Sequence, residues 1–323
     1  MRKLIVSLVA VLVTSFANFS LADTIPPEIK KVVTFIFLAD TQGNLMKDPT
    51  SGNPLPYGTG FFVFVKNPSG TGGYGYLVTA KHVLKSPNGD DLSRVFLRLD
   101  KKQGDAEFVA INLVENGKSV VYTHSDPTVD IAVVPALPPS DIYDFKMIPE
   151  EMLSDADSFK QFNIAEGTEV FFTGLFISHY GDHHNEPIVR FGRVSMLPKE
   201  RIAWQEDAAK PAQYAELYLL ETQSYGGNSG SPVFFYLGSD RIPGSIIVGS
   251  PVVKLAGIMK GSFNENRAIR FVQPSAAMPI PISSQNIGIA AVTPSYLLHE
   301  ILFSPALMKA RADNPILMPA HEK

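Results

Sequence analysis

The chain has 323 residues, of which 45% are hydrophobic and 19% are charged, a composition ordinary for a globular protein with a sizeable core. Its formal net charge of −4, without a basic cluster, argues against a nucleic-acid binder or a protein held on an anionic membrane. It has no cysteine, which excludes disulfides, a thiol nucleophile and a lipid-modified cysteine. We therefore expect core packing to supply the stability of the fold.

Residues 1–22 have the pattern of a secretory signal peptide. A short basic start precedes an apolar run over residues 4–16, and residues 20–22 have the small-x-small pattern of a cleavage site. The apolar run is short for a membrane span. We predict cleavage after Ala22, export to a bacterial periplasm or the exterior, and no stable membrane insertion afterwards. An uncleaved amino-terminal anchor is the alternative. Cleavage would take the net charge to −6.

Strand-like segments fill residues 31–135. They are rich in β-branched and aromatic residues and are separated by Gly, Pro and Asn. The predicted strands are 32–38, 60–65, 75–78, 95–99, 108–113 and 130–134. A proline-rich segment follows, and residues 149–162 have an acidic, helix-like pattern. We interpret residues 23–140 as a first domain and residues 141–164 as an inter-domain linker.

A second series of strands follows the linker. The predicted strands are 169–172, 189–194, 215–220, 231–236, 253–259 and 288–292. A helix is predicted next, with Thr293 as N-cap and Pro294 in the first turn. Its apolar face comprises Leu297, Leu298, Ile301 and Leu302. We assign residues 165–303 to a second domain and residues 304–323 to a loose tail.

The two sets of strands favour an all-β fold of two six-stranded antiparallel β-barrels with a carboxy-terminal helix. On strand spacing alone, a single large β-sandwich fits equally well. The sandwich does not account for the positions of three motifs that carry reactive side chains.

These motifs supply a histidine, an aspartate and a serine in that order. His82 ends the segment of residues 78–82, Asp130 leads into the apolar run 131–134, and Ser229 lies in a Gly-Asn-Ser-Gly turn. The gaps are 48 and 99 residues. A serine hydroxyl needs a neighbouring base to attack a carbonyl, and the base needs a carboxylate to orient it. A carboxylate at the start of an apolar strand is costly to bury without such a partner.

On these motifs the chain resembles the bacterial trypsin-like serine proteases, the broad group that includes the HtrA and glutamyl-endopeptidase relatives. The resemblance covers about residues 31–303. It implies a chymotrypsin-like fold and a polypeptide substrate, with Ser229 as nucleophile, His82 as general base and acid, and Asp130 as the orienting carboxylate. The backbone N–H groups of Gly227 and Ser229 would form the oxyanion hole. No cofactor is implied.

Other residues compete for the acid–base roles. Asp126 is the nearest rival of Asp130, but the following Pro127 is typical of a solvated turn. None of the remaining histidines has a context like that of His82; they are His124, His179, His183, His184, His299 and His321. The histidines and aspartate of residues 179–184 suit zinc in type, but their surroundings indicate an exposed turn. We predict no metal site there.

Departures from the family pattern bear on control and specificity. Asn228 stands where animal digestive enzymes have the aspartate that pairs with a newly cut amino terminus, so that route of activation is not expected. Gln223, at the usual floor of the specificity pocket, argues against a preference for Arg or Lys. Met259 stands where glutamyl endopeptidases have a histidine. We expect Met259, Lys260 and Gly261 to form a pocket wall that binds an extended substrate. A medium-sized apolar or uncharged polar side chain would be preferred.

Two functions follow from this pattern. The first is an exported serine endopeptidase that acts through an acyl-enzyme on Ser229. The second is a peptide-binding or chaperone-like module of the same fold with little or no turnover. Because the chain ends soon after the predicted helix, we do not expect the PDZ domain of HtrA proteins. An α/β-hydrolase esterase is disfavoured, because it needs the order Ser…Asp…His, and Ser231 occupies the last glycine position of its motif.

Overall fold

The computed structural model describes residues 25–68, 72–205, 211–238, 251–268 and 282–313. The predicted signal peptide and the end of the predicted tail lie outside the described residues. The strands are β1 (Val33–Leu38), β2 (Pro56–Lys66), β3 (Gly73–Thr79), β4 (Arg94–Leu99), β5 (Glu107–Asn112), β6 (Val114–Glu115), β7 (Lys118–Ser119), β8 (Tyr122–Thr123), β9 (Ala132–Pro135), β10 (Ile148–Pro149), β11 (Glu169–Gly174), β12 (Ile188–Met196), β13 (Ile202–Trp204), β14 (Gln213–Ala215), β15 (Tyr218–Glu221), β16 (Pro232–Leu237), β17 (Val252–Ala268) and β18 (Ile282–Pro294). The helices are α1 (Ala156–Gln161), α2 (Ser295–Leu302) and α3 (Pro305–Asp313).

The first barrel is an eight-stranded sheet that is only partly closed. Its order is β5-β4-β1-β2-β3-β9-β8, with antiparallel neighbours, and β10 adds to β2 in parallel. The prediction of six strands is therefore wrong in detail for this barrel. The chain leaves β5 into a separate hairpin of β6 and β7, turned by Asn116 and Gly117 with positive φ. As a result β5 and β8 end the sheet on opposite sides. Because β10 and α1 fall between residues 141 and 164, the predicted linker contributes regular structure of its own.

The second barrel is closed, with the strand order β11-β12-β15-β18-β17-β16. All neighbouring strands are antiparallel. Five of the predicted strands correspond to one barrel strand each. The predicted strand 215–220 is divided, because β14 pairs with β13 in a hairpin outside the barrel and β15 begins at Tyr218. The all-β, two-barrel fold is thus confirmed, and the β-sandwich is wrong.

Adjacent phenylalanines in two strands fasten the barrels to each other. Successive residues of a strand face opposite sides of the sheet. Phe172 and Phe235 face the core of the second barrel, whereas Phe171 and Phe234 pack into the cluster that contains the first sheet. The rings of Phe171 and Phe234 stack with their centroids 5.1 Å apart. All four are fully buried, and each contributes about 1.5–3 kcal/mol of burial free energy.

The carboxy-terminal helices return the chain to the first barrel. The apolar face predicted for α2 is buried there. Thr293 is not the N-cap, because β18 continues through it, pairing it with Ile258, and the helix begins only at Ser295. Part of the predicted loose tail is helical: α3 is held by the buried Leu307 and by Arg311, which donates to the Tyr76 hydroxyl at 2.6 Å. Among the described residues, no helix is both long and apolar enough to span a bilayer.

Thr59 on β2 ties the first barrel to the turn that contains Ser229. Its backbone N–H donates to the Ser229 carbonyl at 2.9 Å. Its hydroxyl donates to the Gly227 carbonyl at 2.8 Å and accepts from the Leu175 N–H at 2.9 Å. Thr59 is fully buried, and its hydroxyl both donates and accepts at the junction of the two barrels.

We expect Thr59→Val to lower the free energy of unfolding by about 2–4 kcal/mol. The change keeps the shape but leaves the Leu175 N–H and the Gly227 carbonyl buried without a partner, at about 1–3 kcal/mol each. Thr59→Ser is the matched control: it keeps the hydroxyl and loses one methyl group, at a cost of about 1 kcal/mol. Urea denaturation measures both, and equal losses in the two variants would contradict the role given to the hydroxyl.

Candidate active site

His82 and Ser229 line one cleft with a volume of about 320 Å³. His82 lies in a 3-10 turn, Lys81–Leu84, directly after β3, and Ser229 lies in the turn before β16. The cleft is therefore built from both barrels. Its other lining residues are Trp204, Gln205, Ser224, Tyr225, Gly226, Lys260, Gly261, Ser262 and Asn264.

His82 is held by the carboxylate of Asp130. The Nδ1 atom of the ring lies 2.7 Å from Asp130 Oδ2, and the His82 backbone N–H donates to Oδ1 at 3.0 Å. Because an ionised carboxylate can only accept, the proton of the neutral imidazole belongs on Nδ1. The lone pair of His82 is then on Nε2, the atom a general base would use.

Asp130 is only 3% exposed, yet its two side-chain partners, His82 and Lys260, keep it ionised. Burial by itself would raise its pKa. The charges and hydrogen bonds of His82 and Lys260 outweigh burial and hold the pKa of Asp130 well below its ordinary value. The Lys260 ammonium lies 3.0 Å from Asp130 Oδ2. The sequence predicts Lys260 in a pocket wall, but it does not predict the contact between the Lys260 ammonium and Asp130.

Asp126, the rival carboxylate, has other partners. Its Oδ1 accepts from the backbone and the hydroxyl of Thr128, and its Oδ2 lies 2.5 Å from Arg201 Nη2. These contacts with Thr128 and Arg201 lower the pKa of Asp126 to about 2. Asp126 therefore closes a turn, as the following proline predicts. The nearby His124 pairs with Glu300 at 2.8 Å.

Ser229 lies in a turn whose backbone requires glycine on both sides. Gly227 has φ +88° and Gly230 has φ +85°, values that side chains rarely allow. A Cβ on Gly230 would also clash with the Thr59 carbonyl. The Ser229 hydroxyl donates to the Lys260 carbonyl at 3.3 Å. Because a hydroxyl has one proton, the Ser229 O–H bond must turn away from the Lys260 carbonyl before it can donate to His82.

Successive backbone N–H groups of this turn differ in whether they donate to a backbone carbonyl. The N–H groups of Asn228, Gly230 and Ser231 donate to backbone carbonyls at 2.8–3.0 Å. Within the described part of the chain, the N–H groups of Gly227 and Ser229 have no such acceptor. These two N–H groups are the donors that the family resemblance implies for the oxyanion hole. There they would donate to the negative charge that develops on the substrate carbonyl oxygen.

A family model for the trypsin-like peptidase domain matches residues 58–239, more than half of the chain, and the match includes His82, Asp130 and Ser229. The chain belongs to the trypsin-like peptidase family. No curated protein matches it. Among solved structures, it is similar to the apo MamO protease domain from Magnetospirillum magneticum, with 13% identity over 85% of this chain and 97% of that chain and a TM-score of 0.45. It is also similar to human heparin binding protein, with 13% identity over 92% and 97% of the two chains and a TM-score of 0.40.

In this trypsin-like peptidase, Asn228 braces the nucleophile turn. The side chain is buried, its amide donates to the Leu175 carbonyl at 2.8 Å, and its Oδ1 accepts from the Tyr225 N–H at 3.0 Å. An aspartate could make only the second of these bonds. Asn228 therefore holds this turn by two hydrogen bonds of an uncharged amide, without an ion pair.

Two of the residues predicted to contact substrate lie outside the cleft. Gln223 is exposed, and its Oε1 accepts from the Tyr225 hydroxyl at 2.5 Å. Met259 is fully buried in the core of the second barrel, and its backbone pairs with Gly230 and Ser231. The register of β17 with β18 shifts between Met259 and Gly261, so Lys260 is the extra residue of a β-bulge, and its side chain reaches Asp130.

Trp204 is a cleft residue that the sequence analysis missed. The β13–β14 hairpin lays its ring against Gly261, where a Cβ would lie 3.2 Å from the indole. The ring also makes an edge contact with Phe263, with centroids 5.1 Å apart. It is the single tryptophan of the chain, the one signal the sequence offered. Gly261 is thus a cleft residue as predicted, but the aromatic wall comes from a different segment.

The loop of residues 179–184, which contains three histidines, is held by the buried Arg98 guanidinium. Arg98 donates to the carbonyl groups of Tyr180, Asp182 and His184 at 2.9–3.1 Å. A guanidinium under the loop disfavours a second cation there. Among the described residues, no group of three or more His, Cys, Asp or Glu side chains is arranged to hold a metal ion.

We expect Asn228→Asp to destabilise the protein by about 2–3 kcal/mol at neutral pH, because a buried carboxylate would face the Leu175 carbonyl. Burial, opposed only by the hydrogen bond from the Tyr225 N–H, raises the pKa of the introduced carboxyl above its unfolded value. The loss is therefore largest at neutral pH and shrinks as the pH falls toward about 4, where the protonated group can donate. Urea unfolding of wild type and variant at several pH values measures this, and a pH-independent loss would contradict the hydrogen-bond assignment.

Proposed function

We propose that the chain is an exported serine endopeptidase that hydrolyses peptide bonds through an acyl-enzyme on Ser229. The observation that carries this proposal is the 2.7 Å contact between His82 Nδ1 and the buried Asp130 carboxylate, at the cleft that also contains Ser229. Membership of the trypsin-like peptidase family supports the reaction class.

In this mechanism, Ser229 Oγ attacks the carbonyl carbon of the scissile peptide and its proton passes to His82 Nε2. The resulting oxyanion accepts from the N–H groups of Gly227 and Ser229, each of which lowers the barrier by about 3 kcal/mol. His82 then returns the proton to the leaving amine as the C–N bond breaks. A water molecule repeats the sequence on the acyl-enzyme, while Asp130 stabilises the imidazolium formed in both halves.

The cleft favours a substrate with an uncharged side chain at the cleavage site. Its described lining contains hydroxyl, amide and aromatic groups beside His82 and Lys260, and no carboxylate among these residues could pair with Arg or Lys. The Lys260 ammonium is already engaged by Asp130, which disfavours pairing with an acidic side chain of the substrate. The exposed edge of β17 at Gly261 and Ser262 would hold the peptide by backbone hydrogen bonds. Trp204 would supply an apolar surface beside it.

The alternative is a peptide-binding module with little or no turnover. One contact favours it: the Ser229 hydroxyl donates its single proton to the Lys260 carbonyl, so in this conformation that proton is not donated to His82. A site of this kind would bind an extended peptide along β17 without cleaving it.

A fluorophosphonate distinguishes the two functions, because it reacts with serines activated by a base and an oxyanion hole. We expect one adduct by intact mass on residues 23–323, lost in Ser229→Ala. Ser231→Ala is the matched control: this neighbouring hydroxyl is buried without a hydrogen-bond partner in the described structure, so its removal should leave labelling intact. No adduct on folded wild type, together with peptides that bind and are recovered uncut, would favour the binding module.

Export has its own test. We expect protein recovered from the periplasm or the culture medium to begin at Asp23, by intact mass. Ala22→Trp should block processing, because the cleavage site requires a small residue there, whereas Ala22→Ser should still be processed. Wild type that keeps residues 1–22 in a membrane fraction would favour the amino-terminal anchor.

A further inference from the structure

A fourth side chain joins the three residues of the proposed mechanism. Asp130 Oδ2 lies 2.7 Å from His82 Nδ1 and 3.0 Å from Lys260 Nζ. One carboxylate oxygen therefore accepts from an imidazole and an ammonium together. Lys260 is 5% exposed, so its charge acts at short range in a weakly screening environment.

The fold fixes Lys260 from two directions. On its amino-terminal side, Met259 is paired through its N–H with the Ser231 carbonyl at 2.9 Å and through its carbonyl with the Gly230 N–H at 2.8 Å. Across the cleft, the Trp204 ring covers the Lys260 ammonium at 5.4 Å from its centroid, an attractive cation–π contact. The nucleophile turn and the β13–β14 hairpin thus both position the lysine.

The consequence is a change in the charge balance around the base. With His82 neutral, the charges of Asp130 and Lys260 cancel. With His82 protonated, the three groups together carry one positive charge, whereas a carboxylate and an imidazolium alone would be neutral. A buried cation beside the pair therefore disfavours the protonated imidazole.

We propose that Lys260 is a positioning residue that keeps His82 neutral, and so able to act as a base, at a more acidic pH than its pairing with Asp130 alone would allow. The consequence for catalysis rests on the proposed function; the effect on the titration of His82 does not. The same charge weakens the stabilisation of the imidazolium formed during attack. His82 would therefore stay neutral over a wider range of acidic pH, but the attack of Ser229 would be slower at neutral pH.

Other charged groups near His82 and Asp130 are already engaged. On the His82 turn, the Lys81 ammonium donates to the Pro127 carbonyl at 2.6 Å. On the segment before Asp130, Asp126 pairs with Arg201. From β17, the group that reaches the Asp130 carboxylate is Lys260, and from β13 the contribution is the uncharged Trp204 ring.

The test is an NMR titration of isotope-labelled histidines in folded wild type, Lys260→Gln and Lys260→Arg, with the His82 signal assigned by its loss in His82→Gln. Glutamine keeps an N–H donor for Asp130 but removes the charge. We expect Lys260→Gln to move the His82 midpoint upward by about one pH unit, a tenfold change in proton affinity, and Lys260→Arg to stay close to wild type. The acid limb of kcat/KM should move with it.

The outcomes separate this inference from the proposed function. An unchanged His82 midpoint in Lys260→Gln overturns the inference, even if the enzyme cleaves peptides. An upward shift in a protein that neither cleaves peptides nor reacts with a fluorophosphonate supports the inference and overturns the endopeptidase. Should Lys260→Gln fail to fold, Lys260→Met, which removes the charge but keeps an unbranched side chain, is compared with wild type in the same titration: an upward shift of the His82 midpoint supports the role of Lys260, and an unchanged midpoint overturns it.

Discussion

The arrangement of the site depends on the hydrogen bonds of Thr59. His82 and Asp130 belong to the first barrel and Ser229 belongs to the second, so the distances between these three residues depend on how the two barrels are joined. Thr59 fixes that junction with three bonds, to Ser229, Gly227 and Leu175, in a fully buried position. Gly230 makes the approach sterically feasible, since any Cβ there would clash with the Thr59 carbonyl. Reactive groups must be held closely for proximity to lower a barrier, and this contact does so.

A second constraint is the buried charge of Asp130. A carboxylate at 3% exposure is stable only when donors and countercharge surround it. Three donors meet this need: the backbone and ring of His82 and the ammonium of Lys260. The lysine supplies the countercharge permanently, whereas the histidine supplies it only when protonated. The stability of the fold and the acid–base role proposed for His82 therefore both depend on the Asp130 carboxylate. Because Lys260 is charged throughout, Asp130 keeps a counter-ion even when His82 is neutral.

Short motifs and their order in the sequence predict that His82, Asp130 and Ser229 act together; the structure places His82 against Asp130 and beside the cleft that contains Ser229, and their catalytic roles remain predictions. Local sequence patterns also predicted most barrel strands from alternation and turn residues. The contact of Lys260 with Asp130 cannot be predicted from local patterns, because the two residues are 130 positions apart and Lys260 is the extra residue of a β-bulge in β17. A bulge redirects a side chain, and no short sequence motif marks this one. Trp204 was missed for a related reason: a short hairpin outside the barrel carries it over Gly261. The predicted signal peptide and domain limits remain predictions.

The hydrogen bond of the Ser229 hydroxyl to the Lys260 carbonyl argues only weakly against catalysis. Its bond to the Lys260 carbonyl is long, at 3.3 Å, and a neutral hydrogen bond contributes only about 1 kcal/mol net. A substrate that binds along β17 gains more than this from its own backbone bonds, so rotation of Ser229 toward His82 is energetically accessible. The charge balance is harder to change, because the Lys260 ammonium is buried 3.0 Å from Asp130 and this contact does not involve the Ser229 hydroxyl. The choice between a peptidase and a binding module therefore depends more on the stability of the His82 imidazolium beside Lys260 than on the direction of the Ser229 O–H bond.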